Sequence, residues 1–106
     1  MTSTFSDRLK HVADQTRSSE LIRENIDVSK SDDEIAKIRS ARERRVSDLI
    51  QALRYASNPD DVSMMHNRIN AVKMGLPEDA NPTLVQETRE RLFRKSDALL
   101  RDSDKV

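Results

Sequence analysis

A chain of 106 residues with 19 acidic and 19 basic side chains has room for one domain, with only a thin core. The absence of cysteine excludes disulfides and thiolate metal sites, and a net charge of zero removes any global attraction to nucleic acid or to an anionic membrane. One glycine, three prolines and three aromatics among abundant Ala, Arg, Leu, Glu and Lys point to an all-α fold, because sheet hairpins would need turn glycines.

Leu, Ile, Val and Phe make up about 23% of the chain, above the roughly 20% below which highly charged chains stay disordered, so a folded protein is expected. Met1 to Asp7 lack the basic start and apolar stretch of a secretory signal. Aliphatic residues come in pairs such as Leu21-Ile22 and Leu49-Ile50, far short of the about twenty apolar residues of a membrane span. The expectation is a cytoplasmic protein with no membrane contact.

From about Thr4 to Thr16, Phe5, Leu9, Val12 and Thr16 share one narrow arc at 100 degrees per residue, which predicts an amphipathic helix. After Arg17-Ser18-Ser19 the phase is lost, and Leu21, Ile22, Ile26 and Val28 fit either a short helical turn or an extended tie. Ser31 with Glu34 three residues later reads as a capping box, reinforced by Asp32 and Asp33 at the positive end of a helix dipole. A long helix is predicted from there, about 32–56, with Ile35, Ile38, Val46, Leu49, Ile50 and Leu53 as its stripe and Asn58-Pro59 as its stop.

Asn58-Pro59-Asp60-Asp61 also opens the third helix, with Asn58 as N-cap and Pro59 in the first helical position. Val62, Met65, Ile69 and Val72 line one face of it while Met64 and Ala71 lie nearly opposite, the pattern of a central helix. The segment Asn58 to Met65 resembles the one opening the C-terminal helix of type III secretion inner-rod subunits; the break at Gly75-Leu76-Pro77 departs from the continuous helix of that family, so no membership follows. Gly75 supplies a left-handed C-terminal residue, Asn81-Pro82 starts a fourth helix, and Val85, Thr88, Leu92, Ser96 and Leu99 form its stripe, edged by Phe93 and Leu100. On its outer face Glu87 to Arg91, Glu90 to Arg94 and Asp97 to Arg101 are spaced for ion pairing. The fold expected is a single helical domain over 1–106, a small bundle of three to four helices that self-associates, with frayed tails at 1–3 and 103–106.

The anomaly lies in the long helix. With Ile35 at zero, Arg42 falls at about 340 degrees, between Val46 and Leu49 on the apolar stripe, and Arg39 and Arg45 flank it at about 40 and 280 degrees. An unpaired buried charge costs several kcal/mol, more than a domain of this size can absorb. Three reliefs are open: the helix projects into water, acids of another helix or subunit pair with the arginines, or nucleic-acid phosphates do. Arg39, Arg42 and Arg45 are therefore partner-binding candidates, joined by Met64 and Met74 because methionine adapts to partner surfaces, although it fills cores more often.

His11 and His66 stand on different helices without a second nitrogen ligand nearby, and Asp7 with His11 is more readily a surface pair than a metal site. No Ser-His-acid set and no glycine-rich phosphate loop can be built from these residues, so no catalytic, metal or cofactor role is assigned. The expected function is a non-catalytic protein-interaction module, an adaptor, small regulator or export chaperone, with a protein partner and a homodimer. The competing class is a nucleic-acid-binding regulator using Arg39, Arg42, Arg44 and Arg45.

Overall fold

The computed structural model describes residues 4–103, which form four helices: α1 Phe5–Arg23, α2 Asp32–Leu53, α3 Pro59–Lys73 and α4 Pro82–Ser103. Of the tails expected to fray, Ser103 belongs to α4 and residues 1–3 and 104–106 lie outside the described range. Each helix start is set by local chemistry. Thr4, Ser31, Asn58 and Asn81 each accept the backbone N–H three residues on through a side-chain oxygen, satisfying a donor that the first turn would leave orphaned. At Thr4 the Asp7 carboxylate returns the bond to the Thr4 N–H, giving a reciprocal box that the serine-glutamate pattern alone does not reveal.

α1 and α3 end in the same way. Asn25 at φ 57° and Gly75 at φ 67° carry the left-handed residue. The Ile26 and Leu76 N–H groups then reach back to the carbonyls of Leu21 and Ala71, each at 2.9 Å. This is the Schellman motif, and Ile26 packs on Leu21 as the motif favours. Asparagine replaces glycine at the first of these ends because its short polar side chain tolerates the left-handed region.

Two assignments change in the structure. α1 runs unbroken to Arg23, seven residues beyond the predicted end, because its buried face rotates: Ser19 faces α4 while Leu21 turns toward Ile26 and Ile35. The stripe Phe5, Leu9 and Val12 is correspondingly exposed, at 76, 55 and 57%, and contributes nothing to the core. α2 stops at Leu53, three residues early, in the turn that leads to Asn58.

Helix packing joins α1 to α4, α2 to α3 and, over a smaller contact, α3 to α4. α1 and α4 are antiparallel, with Ser19 against Ser96 and Arg23 against Phe93. Their seam is small and polar: the buried Ser19 and Ser96 hydroxyls bond to each other at 2.5 Å, and Arg23 Nε donates to Ser96 Oγ at 2.8 Å. Leu49, Ile69 and Val72 hold α2 on α3, and Ala71, Met74, Val85 and Leu92 hold α3 on α4, so α3 has neighbours on two sides, as α4 has, and of the back-face residues expected to pack Ala71 does while Met64 is exposed. Each fully buried Leu or Ile contributes about 2–3 kcal/mol by removal from water.

The two pairs are staggered end to end. The radius of gyration is 17.3 Å with extents of 63 × 27 × 19 Å, against about 13 Å for a compact domain of this length. No helix among those described is long and apolar enough to cross a membrane.

Candidate functional site

The stagger brings the C-terminal ends of α1 and α3 to the middle of α2, where the arginines lie. A Schellman motif satisfies two carbonyls of a helix end and leaves the neighbouring ones free at the negative pole of the dipole. Arg42 fills that need twice over, donating through Nη1 to the Glu24 carbonyl at 2.5 Å and to the Lys73 carbonyl at 3.2 Å. Asn25 Nδ2 takes the Met74 carbonyl at 3.0 Å, tying the two ends directly.

On either side of Arg42 the other two guanidinium groups form fork-like bonds with carboxylates. Arg39 holds Glu24 at 2.9 and 2.6 Å, and Arg45 holds Glu78 at 2.9 and 2.7 Å. The relief is therefore pairing within the chain, by one residue of each closing loop and by main-chain oxygen between them. Burial pulls the Arg42 guanidinium below its ordinary range, partly offset by Glu24, and it stays charged because arginine titrates far above any working pH. The Arg45 fork holds the Glu78 carboxyl below the usual carboxylate range.

Gly75 has a second duty here. A Cβ on it would clash with Nη2 of Arg42, so its lack of a side chain allows the close approach as well as the left-handed turn.

Because α2 packs on α3 and α4 packs on α3 but α2 and α4 do not meet, a groove of about 730 Å³ opens between them, within the range of ordinary ligand and peptide sites. Val46 and Ile50 form the α2 wall, Phe93 the α4 wall, and Met74 and the aliphatic part of Arg42 the floor. Ile50 is 50% and Phe93 38% exposed, so hydrocarbon faces water here. The guanidinium groups of Arg23 and Arg89 lie 4.8 and 5.5 Å from the Phe93 ring centroid, fixing the ring by cation–π contacts. Six cationic residues line the groove against two carboxylates, in a protein whose net charge is zero. Among the described residues Arg54, Lys73 and Arg89 meet no carboxylate within ion-pair distance.

Of the residues singled out in the sequence, Arg39, Arg42 and Met74 border this groove; Arg45 sits beyond it on Glu78. Met74 is buried at 6% within the α3–α4 core. Met64 is 56% exposed beside Tyr55 and Arg68, outside the groove. Arg44 is exposed.

Ile50, Phe93, Arg54, Lys73 and Arg89 were not legible as site residues. The available signal is the place of Ile50 at about 60 degrees, on the edge of the α2 stripe away from Leu49 at about 320 degrees, which packs on α3.

Several expected surface pairs on α4 form differently. Asp97 bonds Arg23 at 3.2 Å, while Arg94 and Arg101 turn to the main-chain carbonyls of Glu90 and Asp97. His11 and His66 are both exposed, and no group of three metal-ligating side chains converges among the described residues. No family model, no curated protein and no solved structure matches the chain.

Proposed function

We propose that this protein is a non-catalytic protein-interaction module of the cytoplasm whose contact surface is the α2–α4 groove. The observation that carries the reading is the combination in one concavity of exposed Ile50 and Phe93 and half-buried Val46 with Arg54, Lys73 and Arg89, which no carboxylate answers among the described residues. Interfaces are built this way, with an apolar and aromatic centre inside a charged rim, and arginine is the cation they favour.

The arginines at 39, 42 and 45 support the surface indirectly. Their hydrogen bonds are spent on Glu24, Glu78 and two helix ends, so they hold the groove's floor and edge in place. That arrangement weakens the nucleic-acid reading, which needs those guanidinium groups free to meet phosphates.

A photoactivatable side chain at position 50, compared with one at position 37 on the opposite face of α2, tests the reading in cells. Adducts at 50 and not at 37 that are digested by protease and resist nuclease are expected. Nuclease-sensitive adducts at 50, or equal labelling at both positions, would overturn it.

Self-association is a second reading, favoured by the exposed Phe5, Leu9 and Val12 face at the far end of α1. It uses a different surface from the groove and leaves the groove open.

A further inference from the structure

We infer that the occupant of the α2–α4 groove is an acidic amphipathic helix of about four turns supplied by another protein, an inference that rests on the groove being a contact surface. The first argument is backbone chemistry. The groove is walled by α2 and α4, whose main-chain donors and acceptors are spent within the helices, so an extended segment would find no strand edge to pair with. A helix satisfies its own backbone and asks only for side-chain contact. The two walls already flank the space as neighbours in a bundle would, with α3 beneath.

The second argument is length. From Arg39 to Arg54, α2 borders the groove over roughly 22 Å at 1.5 Å per residue, four turns of a helix lying alongside. Val46 and Ile50 stand one turn apart on that wall and Phe93 faces them, which suits apolar residues at i, i+3 or i+4, and i+7 on the guest.

The third argument is charge. Arg54 lies at one end of the groove, Arg23 and Arg89 flank Phe93, and Lys73 lies on the floor side, so carboxylates on both flanks of the guest's apolar stripe would find cations. α1 does not qualify as a second copy's contribution. Its free apolar stripe is flanked by Arg8, Lys10 and Arg17 as well as Asp7 and Asp14, which gives a basic excess. A polynucleotide would set phosphates against Val46, Ile50 and Met74 and leave the hydrocarbon poorly covered.

A phage-displayed library of random 16-residue peptides, panned on the full chain and depleted on an Ile50→Glu, Arg89→Glu double variant, puts this to the test. Both positions are exposed, so the variant is expected to keep its helices, to be checked by circular dichroism. The selected peptides should be net acidic, free of internal proline and apolar at helical spacing. A synthesised representative should gain helix on binding and bind the variant at least about tenfold more weakly.

Peptides that depend on the groove but are basic, aperiodic or rich in proline would overturn the helix while leaving the groove as a contact surface. Enrichment indifferent to the double variant would overturn both. Tighter Ile50-dependent binding of a 16-nucleotide RNA than of any selected peptide would replace the protein partner with a nucleic acid.

Discussion

Between residues 39 and 45, α2 turns three guanidinium groups toward the loops that close α1 and α3; between residues 5 and 12, α1 turns three apolar side chains toward solvent. The charged surface is met by partners from the same chain and the apolar one is not. What decides this is the supply of partners. Two helix ends and two loop glutamates converge on the middle of α2 and offer more acceptors than a hydrocarbon face could use, so arginine is the residue that fits there. The first half of α1 holds no buried residue, and its apolar side chains join none of the three buried clusters. A helix face is set by its own sequence, but its worth depends on what the rest of the chain brings to it.

Removing charge from the partnered surface is the most severe way to break this contrast. Arg42→Ala leaves the Glu24 carbonyl without its donor at a partly buried spot and returns the exposed Lys73 carbonyl to water, and should destabilise the protein by about 2–3 kcal/mol. Urea unfolding followed by circular dichroism measures this directly. Arg42→Met keeps the volume and loses the donors, so a midpoint equal to that of the wild type would show that the carbonyls need no partner.

Gly75→Ala is the next largest, about 2 kcal/mol, since it meets both the positive φ and the Arg42 guanidinium. Because the two sites share one contact, the Arg42→Ala, Gly75→Ala double variant should lose less than the two single losses added together. Strict additivity would separate the turn from the arginine and remove the second duty assigned to Gly75.

The same contrast explains what could be read in advance. Helix starts were legible because Ser31, Asn58 and Asn81 act on groups within three residues, and the α4 stripe was legible because its buried residues keep one helical phase, Val85 and Leu92 under α3 and Ser96 under α1. The clash between Arg42 and its apolar stripe was visible too, as a conflict. Its resolution was not, because Glu24 and the Lys73 carbonyl are distant in sequence and the acceptors are main-chain atoms that no residue type announces. The α1 stripe misled for the converse reason: Phe5, Leu9 and Val12 keep perfect helical phase with nothing opposite them. The groove was illegible because it is a space, defined by two helices that fail to meet.

A gentler perturbation uses protons. The Arg45 fork depresses the folded-state Glu78 pKa below the ordinary 4.5, so the stabilisation is complete above that value and is lost as pH falls through it toward the lower folded pKa. Asp27, which accepts the Ser29 N–H and hydroxyl, is depressed in the same direction and contributes a loss at still lower pH. The urea midpoint should therefore decline below about pH 4.5, and Arg45→Met should flatten the upper part of that decline while Asp27→Asn flattens the lower part. A decline unchanged by Arg45→Met would mean that the fork seen on the surface is not maintained in solution. Both carboxylates are exposed, so the effect is smaller than that of losing Arg42.

The smallest effect is expected at the apolar surface, and it sharpens the comparison most. Leu9→Ala removes three carbons from a side chain that is 55% exposed and outside every buried cluster, so stability should change by less than about 0.5 kcal/mol, whereas Leu21→Ala, a buried counterpart on the same helix, should cost about 3 kcal/mol. Were Leu9→Ala to cost as much as Leu21→Ala in dilute solution, the stripe would have to be covered within one chain. A cost that appears only as protein concentration rises, together with a fall in the mass measured by light scattering, would instead assign the stripe to a second copy, because only an intermolecular contact makes a side chain's worth depend on concentration.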